Sequence, residues 1–303
     1  MSKFKIRNFF LVLLLLTLLK MQVMAAVPSE CQDIWRVNLR AVARLNDCEQ
    51  HFSKLTYYRW QNNRWQASDA ATFFGSQQSE IPLIVFAPGY TLTTQQTTQV
   101  GLGIVRNFDP KKPCRIVLWD WYSDRGIGNI RRDVRSKIPI ANNAADYLAQ
   151  FLHTLKPQSK VCLFGFSFGS RIMCNAVETL RKKDLQPEGL RLNLVLSGAA
   201  TDQDWLTKGG EHNHVPQIAE KILITYNPTD WVLRLYPLMY SFRCDATALG
   251  LEGLPLRSVA PEFQNRFENI DVNRYIGSGH QTLLHVRTPV FRSRINTYFF
   301  FED

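Results

Sequence analysis

Hydrophobic residues along this chain fall into short continuous runs, separated by stretches in which they recur every three or four positions. The runs at 81–87, 115–119, 160–164, 192–196 and 221–225 have strand length and are largely apolar. Runs of that kind predict strands buried on both faces, the signature of a parallel sheet rather than a half-exposed antiparallel one. Between them, 100–108, 141–155 and 170–180 show helical spacing; in the second, Ala145, Leu148, Phe151 and Leu152 share one face. A last helix is expected over 289–300. Earlier, 55–60 and 64–65 flank Gln61-Asn62-Asn63, which predicts a hairpin. Strands alternating with helices predict an α/β fold, with a mostly parallel central sheet covered by helices on both faces.

The first residues follow another pattern. Lys3, Lys5 and Arg7 precede an apolar run over 9–19, and Val23-Met24-Ala25-Ala26 ends in small residues. Basic start, short apolar centre and small-residue exit are the parts of a secretory signal peptide, and the run is too short for the roughly 20 residues that span a bilayer. The expectation is a signal peptide over 1–25, cleaved after Ala25 or Ala26. A single domain over 26–303 follows, with an N-terminal extension over about 26–54, and the protein is secreted, periplasmic or at the cell envelope. No linker-like or repetitive stretch divides the 303 residues.

Charge changes the picture only modestly. The formal +10 includes Lys3, Lys5, Arg7 and Lys20, all lost with the leader. The remaining balance suits peripheral contact with an anionic envelope surface and is too diffuse for nucleic acid. Its densest patch, 131–137, reads as a solvated loop. Of six cysteines, Cys31 and Cys48 stand in the extension and are expected to form a disulfide after export. Cys162 and Cys174 fall inside a strand and a helix pattern and read as small buried hydrophobes, and Cys114 and Cys244 are a further possible pair. No metal-ligand spacing is present. Glu211-His212-Asn213-His214 lacks a third nearby ligand and reads as a polar loop.

The chemistry is concentrated at Gly165-Phe166-Ser167-Phe168-Gly169, between a strand and a helix. A serine at such a turn projects its hydroxyl above the sheet. The glycines two residues before and after remove side chains that would strike the neighbouring backbone, and the N–H of Phe168 points at an incoming carbonyl. The acid and histidine of a triad follow the serine in that order. Asp230, in the loop after the 221–225 strand, is the candidate acid; His280, at the end of Gly277-Ser278-Gly279, is the candidate base. Asp202 is the rival acid, Asp204 a weaker one, and His285, in an apolar setting, is expected to be packed. The loop after the 81–87 strand, Phe86-Ala87-Pro88-Gly89-Tyr90, offers the Tyr90 N–H as second oxyanion donor beside Phe168. Residues 233–254 fit either a lid or pocket wall over the site, or ordinary core.

With these residues in place, the chain resembles the α/β-hydrolase superfamily, and within it is similar to the pancreatic and lipoprotein lipase branch. The likeness rests on Phe86-Ala87-Pro88-Gly89-Tyr90, on Val117-Leu118-Trp119-Asp120-Trp121 and on the 142–152 helix. It is similar also to uncharacterised secreted hydrolases of planctomycete-type bacteria, through 119–125 and 165–171. Pro88 stands where the lipase branch has histidine, Phe166 where lipases commonly have histidine, and Ala200 roughly where that branch places its acid. The resemblance implies an α/β-hydrolase fold and a cofactor-free serine esterase or lipase-like enzyme that acts on a small-molecule or lipid ester. The reading from a different class is a non-catalytic envelope or binding protein that keeps the fold.

Overall fold

The structure is a computed structural model and describes residues 32–45, 47–107, 112–126, 128–239 and 245–302. Nine strands form one sheet: β1 (Gln32–Asn38), β2 (Thr56–Gln61), β3 (Arg64–Ser68), β4 (Leu83–Ala87), β5 (Cys114–Asp120), β6 (Lys160–Phe166), β7 (Arg191–Ser197), β8 (Lys221–Tyr226) and β9 (Phe267–Asp271). Their order is β3-β2-β1-β5-β4-β6-β7-β8-β9. The β2–β3 hairpin is antiparallel, as is its junction with β1; every other pairing is parallel. This is the mostly parallel α/β arrangement expected from the sequence, with β4 at the middle of the sheet and β6 beside it.

The apolar runs are continuous because both faces are covered. Val85, Val117, Trp119, Leu163 and Leu196 pack with α2 (Ile130–His153) and α3 (Phe168–Lys182) on one face. Ile84, Phe86, Leu118, Phe164 and Val195 pack on the other with α1 (Thr94–Val105), α4 (Thr282–Val286) and α5 (Pro289–Phe299). Each core is sealed by buried rings, among them Phe73, Trp119 and Phe151 on the first face and Phe164, Phe291 and Phe299 on the second. Among the described residues no helix is long and apolar enough to cross a membrane.

Two expectations are altered, and a third falls partly outside the described residues. Residues 32–38, assigned to an extension preceding the domain, form β1 inside the sheet, between the hairpin and β5. Their polar positions hide the strand pattern but are consumed by the fold. Asp33 accepts from Arg59 and Arg115 at 2.7 and 2.8 Å, and the Arg36 guanidinium lies over the rings of Tyr58 and Trp65. Residues 131–137 are not a solvated loop but the opening turns of α2, capped by Asn129, with Asp133 and Lys137 buried. Lys137 lies 4.4 Å over the Tyr122 ring, and burial holds its ammonium pKa below the usual range against the pull of Asp133. Cys31 lies outside the described residues; Cys48 is a buried free thiol, and no disulfide joins two described residues. Cys244 also lies outside them, while Cys162 and Cys174 are buried as expected.

Candidate active site

At the end of β6 the chain turns into α3 within one residue. Ser167 occupies φ 53°, ψ −117°, a conformation that costs a non-glycine residue strain and persists only where neighbours hold it. They do so here. Its N–H donates to the Ser197 carbonyl at 3.0 Å, and its carbonyl accepts from Ser170 and Ala200 at 3.0 and 3.2 Å. The flanking glycines are dictated by contact: a Cβ on Gly165 would lie 2.5 Å from the Ser170 backbone, and one on Gly169 would lie 2.0 Å from the Ala87 carbonyl oxygen. Serine at a helix N-cap ordinarily spends its hydroxyl on a backbone N–H. Ser167 makes no such cap, and its Oγ lies 3.0 Å from Nε2 of His280.

Asp230 and His280 come from the loops after β8 and β9. Nδ1 of His280 lies 2.6 Å from Oδ2 of Asp230. A carboxylate beside Nδ1 accepts a proton donor, so the ring hydrogen sits on Nδ1 and Nε2 accepts from the Ser167 hydroxyl. Asp230 is fully buried, and its Oδ1 accepts from the N–H groups of Val232 and Leu233 at 2.9 and 3.0 Å, which leaves the carboxylate satisfied on both oxygens. The two loops are tied together: the Asn227 side chain donates to the Gly277 carbonyl at 2.7 Å, and Thr229 Oγ1 donates to Asn273 Oδ1 at 2.6 Å.

The loop after β4 closes the site from the opposite side. A Cβ on Gly89 would stand 3.1 Å from Cβ of Ser167, so the loop backbone passes directly against the serine, with Tyr90 next in line. The loop is held at several points. Trp121 Nε1 donates to the Pro88 carbonyl at 2.9 Å, the Tyr90 hydroxyl donates to Asp133, and the Ser123 carbonyl accepts from the Thr91 N–H at 2.8 Å. Phe168, fully buried, stacks on Trp121 with centroids 6.1 Å apart and also faces Tyr90.

The other candidates lie elsewhere. Asp202 accepts from the Tyr236 hydroxyl at 2.6 Å and bridges to Ala248, and Asp204 sits in the same turn. Ala200 spends its N–H on the elbow. His285 is packed, its Nδ1 3.1 and 3.0 Å from the hydroxyls of Ser197 and Thr225. Burial, and secondarily the neighbouring His280, push its imidazole pKa down to about 3, so it is neutral. Phe166 separates His285 from His280, with ring centroids 5.4 and 5.0 Å away. His212 stacks on Trp205 and contacts Asn175, while His214 pairs with Glu178. Of residues 233–254, Leu233, Tyr236 and Leu249 are core, Leu238 is exposed, and 240–244 lie outside the described residues. The sequence reading missed Asn227 and Ser123, whose side chains reach carbonyls of other loops, Gly277 and Leu92, at positions the local sequence does not reveal.

No protein-family model matches the chain, and no curated protein does. Among solved structures it is similar to esterase B of Lactobacillus rhamnosis, at 9% identity and a TM-score of 0.41, over 90% of this chain and 85% of that one. It is similar also to the catalytic core domain of an acetyl xylan esterase from Trichoderma reesei, at 12% identity and a TM-score of 0.39, over 73% and 97%. A third is a lipase-esterase related protein from Clostridium acetobutylicum, at 12% identity and a TM-score of 0.41, over 73% and 95%. At these identities the likeness concerns the fold alone.

Proposed function

We propose that this protein is an exported serine hydrolase that cleaves a carboxylic ester, lipase- or esterase-like, through Ser167, His280 and Asp230. The observation that carries the reading is the continuous chain from Asp230 through His280 to a serine hydroxyl that is withheld from its own helix cap. In this mechanism His280 Nε2 takes the Ser167 proton as Oγ attacks the ester carbonyl. Asp230 keeps the ring hydrogen on Nδ1 and stabilises the imidazolium. The oxyanion lies between the N–H groups of Phe168 and Tyr90, donors of a kind worth about 3–4 kcal/mol each in the transition state. Collapse expels the alcohol, which is protonated by His280, and water activated by the same imidazole releases the acid from the acyl-enzyme. None of these steps requires a cofactor or metal. The aromatic surroundings of Ser167, namely Phe166, Phe168, Tyr90 and Trp121, support an ester with an apolar acyl group. Export rests on the basic, apolar and small-residue segments of the first 26 residues, and peripheral attraction to an anionic envelope surface on the positive balance of the chain.

The test is labelling with a fluorophosphonate, together with turnover of short and medium p-nitrophenyl esters. Native protein is expected to label at Ser167 and to hydrolyse the esters, and Ser167→Ala to do neither. A native protein that takes no label and turns over no ester would favour a non-catalytic envelope or binding role for the fold.

A further inference from the structure

We infer that Arg40 is a positioning residue for the loop over 88–92, holding the Tyr90 N–H where an oxyanion forms; the inference rests on the serine-hydrolase reading above. Arg40 follows β1, far in sequence from every residue of the proposed triad, and its side chain is only 15% exposed. Its guanidinium reaches three acceptors on three segments. Nε donates to Asp120 Oδ1 at 2.9 Å, Nη1 to Asp124 Oδ2 at 2.5 Å, and Nη2 to the Leu92 carbonyl at 2.9 Å. Asp120 ends β5 and is fully buried; its other oxygen accepts from Thr94 Oγ1, at the start of α1, at 2.9 Å. Burial raises the Asp120 carboxyl pKa, and Arg40 is the leading charge opposing that rise. One side chain thus joins the end of β5, the loop that follows it and the loop that borders Ser167.

The loop needs such a hold because it is strained. Thr91 has φ +80°, left-handed backbone that a β-branched residue rarely adopts. The strain is enclosed between Tyr90 and Leu92, and the carbonyl that Arg40 grips is that of Leu92. Ser123 Oγ donates to the same carbonyl at 2.7 Å, and the Ser123 carbonyl receives the Thr91 N–H. Released from these bonds, the loop would relax toward ordinary φ and swing the Tyr90 N–H away from the serine. A lysine at position 40 keeps the charge facing Asp120 but, lacking the planar fork, cannot serve three acceptors in fixed directions.

The experiment compares native protein with Arg40→Lys, Ser123→Ala, Arg40→Lys combined with Thr91→Gly, and Arg59→Gln. The last alters an ion pair with Asp33 at the opposite end of the sheet. Arg40→Lys is expected to lower kcat for a p-nitrophenyl ester about 10- to 100-fold with KM within about threefold, because small misplacement of a catalytic group costs rate rather than binding. Ser123→Ala should show a smaller loss of the same kind, Arg59→Gln no loss, and Thr91→Gly should return part of the kcat by removing the strain. Hydrogen exchange over 88–92 should be faster in Arg40→Lys and Ser123→Ala than in native protein. Native kcat and native exchange in folded Arg40→Lys overturn the inference, as does a fall in kcat that Arg59→Gln matches. Should Arg40→Lys fail to fold, native exchange over 88–92 in Ser123→Ala overturns it. Native protein without esterase activity sinks the serine-hydrolase reading, while the exchange measurement still decides the hold on the loop.

Discussion

Asn227, buried at the end of β8, donates its side-chain amide to the carbonyl of Gly277, 2.7 Å away and 50 residues later in the chain. Gly277 has φ +55°, ψ −135°, backbone that suits glycine, and from there the chain runs through Ser278 and Gly279 to His280. The bond therefore fastens the loop carrying Asp230 to the loop carrying His280. Asn227→Ala should remove the amide donor shared by the Gly277 and Gly279 carbonyls and the acceptor of the Thr229 N–H, at a cost of about 1–3 kcal/mol. Turnover should fall about tenfold while Ser167 still labels. Thermal denaturation alongside steady-state kinetics checks this; native kcat in the variant would show that the two loops hold position without the tie.

Ser167, His280 and Asp230 are expected to behave as one unit. Ser167→Ala and His280→Ala should cost similar, very large factors in kcat, and the double variant little more than either. Asp230→Asn should cost roughly 10²–10⁴, since the ring survives with its hydrogen on the wrong nitrogen. Asp202→Asn keeps an oxygen for the Tyr236 hydroxyl and should change turnover less than about threefold. The decisive comparison is between the two asparagine variants, and the opposite ranking would move the acid to the turn after β7.

The elbow glycines differ sharply from one elsewhere. Gly169→Ala forces a methyl to 2.0 Å from the Ala87 carbonyl and should destabilise by about 3 kcal/mol or more, with loss of labelling. Gly75→Ala, at the end of a short surface helix with nothing within 4 Å of the added Cβ, should be neutral or slightly stabilising. Urea midpoints of the two variants make the test, and equal midpoints would contradict the packing described at β4.

Acid should destabilise the fold through two histidines the proposed reaction does not use. Burial lowers the pKa of both His212 and His285 from 6.5 to about 3. The unfolded chain therefore binds more protons than the folded one between those values. Stability is full above pH 6.5 and is lost as pH falls toward 3, by up to about 1.4 kcal/mol per pH unit for each imidazole. His285→Asn, which preserves a polar atom facing Ser197 and Thr225, should flatten the decline of the thermal midpoint between pH 6.5 and 4. An unchanged slope would assign the acid sensitivity elsewhere.

The exported form should begin at Ala26 or Val27. N-terminal sequencing of protein recovered from outside the cytoplasm checks this, and a membrane-bound form that retains Met1 would contradict it.

Much of this architecture was legible because its strands are buried on both faces and therefore read as uninterrupted apolar runs. The elbow was legible because glycine is compulsory on both sides of Ser167, Asp230 because it follows an apolar strand, and His280 because it ends a glycine-containing loop later in the chain, in the order such a site requires. β1 was hidden by Asp33 and Arg36, polar residues that the sheet absorbs through Arg59, Arg115, Tyr58 and Trp65, partners 22 to 82 residues away. The start of α2 was hidden for a similar reason, since five charges in seven residues look solvated until Asp133 and Lys137 are seen turned inward. β9 was missed because Phe267–Asp271 is an edge strand in which only Phe267 and Ile270 are buried. Arg40 and Asn227 escaped notice because a side chain that holds another loop is defined by where that loop goes.

The separation of 113 residues between Ser167 and His280 has a consequence for how the molecule comes to life. Contacts so distant in sequence form late, after loop closure has been paid for by nearer pairings. β7, β8 and β9 must all be in register before the imidazole stands beside the hydroxyl. In refolding from denaturant, helical ellipticity should therefore recover ahead of reactivity at the serine, which makes covalent labelling a reporter of completed folding rather than of collapse. If the chain is exported unfolded, as proposed, it would carry the serine, the histidine and the aspartate yet hold no reactive centre until it has folded at its destination.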